Sequence, residues 1–519
     1  LTVYLLGAGP GAPGLLTLRG AQVLATAEVV IYDRLSQGAV LDMAPAAAEL
    51  INVGKLPGKP RLPQEEINQL LIARGKTKHS VVRLKGGDPL VFARGGEEAK
   101  ALLEAGVDFE IIPGISSAFA APAYAGIPVT LRHSSTSVTV ITGHEAENAS
   151  GGPAEALPAV ADAAHSKAVN WEAAVQLGGT LVILMGVARW PAIAERLLQA
   201  GMASATPAAA ISWGTRPNQH TIRSTVGDLE HQPLQAPAVI VVGDVAAEDL
   251  AWFEKLPLFG RKVVATRPAA QSAGLAGMLR AQGAETFEVP LIEIAPPSDG
   301  GAELSAALDR LKTGAYSWVV FTSANGVRKF LEITRDARDF ASAKIAAIGP
   351  ATAEALANCN LKADLVPKQF VAESLLKEFP EPPAASPTVP KVLIARAEKA
   401  RDVLPEGLTA KDWHTDVVSA YRTVGVSLSE ADKQTFASSD VITFLSPSVV
   451  EQFAVECPEM VQTLAETSPS NPVPKPEIAC VGPITAAAAR NLGLPVAVEA
   501  SVHTSEGLVM VLCEHFKRD

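Results

Sequence analysis

At 519 residues the chain is too long for one hydrophobic core, and two to four domains are expected. With 48% hydrophobic and 19% charged residues it is not a disordered polymer, and 44 Lys/Arg against 55 Asp/Glu (net −11) argues against bulk nucleic-acid binding. Aromatics are only 5%, so the Ala- and Val-rich runs favour an α/β class with buried parallel strands over a β-sandwich.

The chain opens on a strand, residues 3–6, with no basic segment ahead of it that reads as a secretory signal. Apolar runs such as Ala238–Val242 are strand-length, so no membrane span is expected and a cytoplasmic location is. Gly7-Ala8-Gly9-Pro10-Gly11-Ala12 fits G-x-G-x-x-A, and Asp33 closes the next strand at a dinucleotide-ribose spacing. The prolines argue otherwise. Pro13 would remove an N–H from the first turn of a helix begun at Gly9, so the helix is expected near residues 15–17. Residues 7–14 are then an open loop, suited to a nucleoside more than to a pyrophosphate on a helix end.

A second strand runs into Gly86-Gly87-Asp88-Pro89, followed by Arg94-Gly95-Gly96-Glu97-Glu98. Ile112-Pro113-Gly114-Ile115-Ser116-Ser117 and Leu184-Met185-Gly186 come later. Paired glycines let backbone amides and carbonyls approach a ligand closely. Residues 51–100 hold ten Lys/Arg against five Asp/Glu. Lys55, Lys59, Arg61, Arg83 and Lys85 are spaced to meet an acidic substrate. Residues 145–152 and 468–476 are polar or Pro-rich and read as surface loops.

Residues 254–260, carrying Pro257 and Gly260, read as a domain boundary, and the Pro-rich stretch 380–390 as a second one. Beyond Gly260 the sequence repeats itself. Val263-Val264-Ala265-Thr266-Arg267 is echoed by Val392-Leu393-Ile394-Ala395-Arg396. Val319-Val320-Phe321-Thr322-Ser323 is echoed by Ile442-Thr443-Phe444-Leu445-Ser446, and Ile348-Gly349-Pro350-Ala351-Thr352 by Val481-Gly482-Pro483-Ile484-Thr485. Each echo reads as a strand, a small-residue turn and a helix whose first N–H groups suit an anion. Two such lobes suit a long polyanionic ligand. The cysteines, Cys359, Cys457, Cys480 and Cys513, form no CxxC pair and read as buried small hydrophobes, with neither disulfide nor metal expected.

Taken in order, the motifs from Gly7 to Gly243 resemble the uroporphyrinogen-III C-methyltransferase family. The resemblance implies a two-lobed tetrapyrrole-methylase fold, S-adenosylmethionine as methyl donor without a metal, and a homodimer formed through this half. It puts donor contacts at Pro10, Gly86, Gly87, Asp88, Val91, Ser116, Ser117, Met185 and Gly214. It makes Asp33 a proton acceptor and Lys55 a proton donor, with Arg83 among the contacts to the tetrapyrrole. Leu131, Ala12, Leu90 and Ala93 depart from the family pattern.

The second half resembles the uroporphyrinogen-III synthase family, through Thr266-Arg267-Pro268, Phe321-Thr322-Ser323, Ala420-Tyr421-Arg422-Thr423 and Phe444-Leu445-Ser446-Pro447-Ser448. That resemblance implies a two-lobed parallel α/β fold with a two-stranded linker. Tyr421 would assist loss of the substrate hydroxyl, and Thr322, Ser446, Ser448 and Thr485 would bind substrate carboxylates. The expected division is 1–256 and 257–519, the latter with lobes of roughly 258–294 plus 424–519 and 295–423. The expected reaction takes hydroxymethylbilane to uroporphyrinogen III with inversion of the last ring, then methylates it twice to precorrin-2. A later precorrin methylase in the first half, or a non-catalytic tetrapyrrole-binding second half, are the alternatives.

Overall fold

The computed structural model describes residues 2–33, 38, 40–54, 62–143, 169–266, 269–383, 390–466 and 476–517. Lys55, Lys59, Arg61, Arg267 and Pro268, the loop at 145–152 and nearly all of the one at 468–476 therefore lie outside the described residues, as does most of the Pro-rich stretch 380–390. Among the described residues twenty strands form four five-stranded sheets. The chain divides into two compact units, Leu1–Arg261 with Leu279–Glu285 and Phe516–Asp519, and Lys262–Met278 with Thr286–His515.

The first sheet of the first unit holds β1 (Thr2–Gly7), β2 (Val29–Tyr32), β3 (Glu49–Asn52), β4 (Ser80–Lys85) and β5 (Phe109–Ile112). Their order is β3-β2-β4-β1-β5, and every pair is parallel. Val3, Leu5, Val29, Ile31, Val81, Val82 and Leu84 are fully buried, as a parallel sheet covered on both faces requires. After β1 the chain makes one tight turn at Pro13–Leu15 and only then a helix, Leu18–Leu24, capped where the Thr17 hydroxyl accepts from the Gly20 N–H at 3.1 Å. Proline placement set that start, as the sequence indicated.

The second sheet holds β6 (Val138–Thr142), β7 (Thr180–Leu184), β8 (Pro207–Ser212), β9 (His220–Thr225) and β10 (Ala238–Val242), in the order β6-β7-β10-β8-β9. Only β6 and β7 are parallel; the other neighbours run antiparallel. This sheet packs Val182, Ala209, Ile211 and Val241 against the helix Ser117–Tyr124 that follows β5.

In the second unit the internal repeat becomes architecture. One sheet joins β11 (Lys262–Ala265) and β12 (Glu285–Glu288) to β18 (Val441–Phe444), β19 (Glu477–Cys480) and β20 (Val496–Glu499), in the order β12-β11-β18-β19-β20. The other joins β13 (Ile292–Ala295), β14 (Trp318–Phe321), β15 (Lys344–Ala347), β16 (Lys391–Ala397) and β17 (His414–Gly425), in the order β13-β17-β16-β14-β15. The echoed strands occupy matching places, β11-β18-β19 in one sheet and β16-β14-β15 in the other, all parallel. The match reaches the backbone angles. Ser323 and Ser446 enter their helices at φ/ψ of −161/155° and −158/157°, and Gly349 and Gly482 at −166/176° and 169/179°. The antiparallel pair of β13 and the twelve-residue β17 carries the chain out of one sheet and back.

The cysteine expectation is corrected at two of the four positions, since Cys513 is only half-buried. Cys457 and Cys480 are buried, and burial pushes their thiols up to about 11 and about 12, but Cys359 is exposed in the turn after the helix Pro350–Ala357. No described helix is long and apolar enough to cross a membrane.

Candidate active sites

In the first unit the loops that leave the carboxyl ends of adjacent strands β1 and β4 are pinned back to back. Gly9 N–H donates to Gly87 O at 3.2 Å and Gly87 N–H to Gly9 O at 2.8 Å. Gly87 holds φ +69°, which an L side chain rarely adopts, and a Cβ on Gly114 would lie 2.2 Å from Gly87 O. The sequence thus has glycine where three chain segments touch through bare backbone.

These loops form one wall of a cavity of about 440 Å³. The opposite wall comes from the second sheet: Leu184 and Met185 at the end of β7, Ile211, Trp213 and Gly214 at the end of β8, and residues 236–239 entering β10. Pro10, Gly86, Gly87, Val91, Ser117, Met185 and Gly214, all named from sequence, line it. Ser116 and Asp88 do not. Ser116 instead caps the helix Ser117–Tyr124 by accepting from Ala118 N–H at 3.3 Å. Asp88 holds its own loop, accepting from Leu90 N–H at 2.8 Å and Gly114 N–H at 3.1 Å. Of the departures from the family pattern, Ala93 lines the cavity, Leu90 is exposed beside it, and Ala12 N–H donates to the Thr215 hydroxyl at 3.2 Å. Left-handed backbone recurs at non-glycine residues here: Phe92, Met185 and Trp213 line the cavity at φ 52°, 57° and 51°, and Thr215 follows at 72°.

Asp33 follows β2 and is not among the lining residues. Arg83 Nη2 grips its carboxylate at 3.1 and 2.9 Å. The same guanidinium donates to the carbonyls of Ile31 and Leu84 and, through Nε, to Glu98 Oε1 at 3.1 Å. Glu98 is fully buried and also holds Lys85 Nζ at 2.8 and 2.9 Å. Burial, followed by the Arg83 charge, moves the Lys85 ammonium below its ordinary range, against the pull of Glu98. Two cations and two anions thus neutralise one another, and of the four Asp33 alone stays about a third exposed. This corrects the expectation that Arg83 and Lys85 meet substrate carboxylates: both are about 3% exposed, and the donors of Arg83 are taken. Lys55 lies outside the described residues.

Sequence reasoning passed over Trp213 and Arg216, which also line the cavity, with the Arg216 guanidinium 5.4 Å from the Trp213 ring centroid. Burial moves Arg216 below its ordinary range, with Glu285 opposing. The cation in the Trp213–Pro217 turn was the signal available.

In the second unit Tyr421 is buried on β17, its hydroxyl 3.0 Å from Ser323 Oγ. Ser323 caps the helix Ala324–Leu331, its Oγ accepting from Gly326 N–H at 3.0 Å. Thr322 is half-buried one residue earlier. The repeat register aligns Ser446 with Ser323, not with Thr322, and that register was the means of finding Ser323. In the other lobe the Ser446 hydroxyl caps nothing and lies 3.1 Å from that of Ser448. Thr485 and its counterpart Thr352 are both buried in the first turns of their helices, at 4% exposure. Thr485 therefore offers little side-chain surface to a ligand. Among the described residues no group of three or more His, Cys, Asp or Glu is placed to hold a metal ion.

Residues 2–230 match the family of tetrapyrrole (corrin/porphyrin) methylases, and residues 273–510 the family of uroporphyrinogen-III synthase HemD. Across 99% of its length the chain is 36% identical to the porphyrin biosynthesis protein HemD of Ruminiclostridium josui, spanning 97% of that protein. Its first half is 47% identical to the S-adenosyl-L-methionine-dependent uroporphyrinogen III methyltransferase of Methanosarcina barkeri, over 47% of this chain and 91% of that one. Among solved structures, the uroporphyrin-III C-methyltransferase of Thermus thermophilus complexed with S-adenyl homocysteine is 34% identical, covering 47% of this chain and 98% of its own with a TM-score of 0.39. With one relative matched end to end and each half matched to its own family, the chain belongs to the porphyrin-biosynthesis proteins that fuse an N-terminal uroporphyrinogen-III C-methyltransferase to a C-terminal uroporphyrinogen-III synthase.

Proposed function

We propose that residues 257–519 close hydroxymethylbilane to uroporphyrinogen III with inversion of the last ring, and that residues 1–256 methylate that product twice to precorrin-2. The observation that carries the methyl-transfer half is the glycine-walled cavity, which suits a nucleoside-sized donor by volume and by bare backbone. Bound there, S-adenosylmethionine supplies an electrophilic methyl group. Pro10, Gly86, Gly87, Val91, Ser117, Met185 and Gly214 hold and orient it, and the apolar walls exclude water from the reacting atoms. Asp88 and Ser116 contribute by fixing the loop and the helix end that carry those contacts.

As the methyl is added and the attacked ring carbon becomes quaternary, Asp33, held in one orientation by Arg83, takes the proton that the macrocycle loses from another position, and Lys55 serves as proton donor. In the second half Tyr421 assists departure of the substrate hydroxyl. Thr322, Ser446, Ser448 and Thr485 belong to the helix-end turns that receive carboxylates, Thr485 chiefly through its turn's backbone. The placing of echoed strands in two sheets supports lobes near 258–294 plus 424–519 and 295–423, although β13 joins the second sheet at Ile292. Dependence on a cytoplasmic metabolite as donor supports a cytoplasmic location, and family resemblance supports a homodimer through the first half. The test is to supply uroporphyrinogen III and S-adenosylmethionine and count methyl groups by mass spectrometry. Two are expected; none would overturn the first-half assignment.

A further inference from the structure

The far wall of the cavity is a turn under strain. Trp213 and Thr215, on either side of Gly214, both hold left-handed backbone at φ 51° and 72°. Side chains of this kind avoid that region, and such geometry persists only where its surroundings fix it. What fixes it is polar and buried. Gln219, 3% exposed, accepts from the Thr215 N–H through Oε1 at 2.7 Å. Its other end, Nε2, donates to Glu254 Oε1 at 2.8 Å, and the Thr221 hydroxyl donates to the same oxygen at 2.5 Å. The Thr215 hydroxyl, 1% exposed, then accepts from Ala12 N–H at 3.2 Å in the loop that carries Pro10. A side chain Cβ at Gly214 would lie 2.4 Å from the Ala121 Cβ, so the turn cannot relax toward that helix.

One hydrogen-bonded line therefore runs from Glu254, through Gln219 and Thr215, to the opposite cavity wall. Glu254 lies where composition alone suggested a linker. We propose that Gln219 and Glu254 are positioning residues for the methyl donor: they hold the strained turn and set the separation of the two walls without touching the donor themselves. This rests on the reading of the cavity as the donor site. A buried amide has few alternatives in such a place, because each half of Gln219 serves a different partner and losing either leaves a polar group unpaired.

The experiment is calorimetric titration of the full chain with S-adenosylhomocysteine, alongside donor and tetrapyrrole KM values and a thermal melt. Gln219→Leu is expected to weaken S-adenosylhomocysteine at least tenfold and raise the donor KM, with the tetrapyrrole KM unchanged. Gln219→Glu places two carboxylates together and is expected to weaken it similarly. Adding Glu254→Gln to that variant restores the amide–carboxylate pair in reverse and is expected to recover most of the affinity. Unchanged affinity in both single variants would overturn the inference, as would a loss that the exchanged pair does not recover while the melt stays that of the wild type. Should Gln219→Leu fail to fold, the exchanged pair alone decides. Wild-type chain that binds no S-adenosylhomocysteine would instead overturn the donor site. Wild-type binding abolished by Gly114→Ala yet untouched by Gln219→Leu would overturn only the wall-spacing role.

Discussion

Asp33 and Glu98 show how differently single residues are exposed to sequence reading. Asp33 stands at a strand end in a chain of recognisable motifs, so its candidacy was legible. Its partner was not: Arg83 and Lys85 sit two apart on one face of β4, and counting charge gives no depth, so they read as a basic surface. Glu98, thirteen residues beyond Lys85 on the next helix, buries both cations against itself, leaving only Asp33 partly exposed. Replacing Asp33 by Asn keeps an oxygen for Arg83 while removing the base. Single-turnover methylation is expected to slow about 10²- to 10⁴-fold, with S-adenosylhomocysteine affinity preserved. Wild-type turnover in that variant would return Asp33 to a purely structural part. Glu98→Ala should cost about 3–5 kcal/mol, because it leaves two buried cations short of a partner. Denaturant unfolding measures that directly, and a loss below about 1 kcal/mol, the range of an exposed pair, would mean that the cluster is solvated.

At the scale of elements, the two lobes of the synthase half use the same strand–turn–helix with different cap chemistry. Ser323 caps its helix through Gly326 N–H, whereas the Ser446 hydroxyl makes no such bond. Ser323→Ala should therefore lower stability by about 1 kcal/mol and, through the lost contact with Tyr421, slow turnover. Ser446→Ala should leave stability nearly unchanged and act on substrate KM, since the hydroxyl it removes caps no helix. Paired melts and steady-state kinetics test this, and equal destabilisation by the two variants would contradict it. The repeat itself was legible because strand, turn and helix recur in fixed order. The site choice within it was less so, because Thr322 and Ser323 are adjacent and only the observed cap distinguishes them. The start of the first helix was legible from Pro13 alone, since a missing N–H is a local fact.

For the whole molecule, each half carries two five-stranded sheets of its own, and each is expected to fold independently. A truncated chain ending near Leu256 is expected to methylate supplied uroporphyrinogen III, and one beginning near Leu258 to cyclise hydroxymethylbilane. The first should melt somewhat lower than the intact chain, because Phe253 loses its edge contact with Phe259 at 5.3 Å. Halves active only after remixing would place catalytic or core residues across the division. The most direct measurement follows both steps in one vessel: the intact chain is given hydroxymethylbilane and S-adenosylmethionine, and the products are resolved by mass spectrometry and isomer-separating chromatography. The inverted macrocycle carrying two added methyl groups is the result expected. Accumulation of uninverted product, or of uroporphyrinogen III without added methyl groups, would contradict the assignment of one of the two halves and identify which.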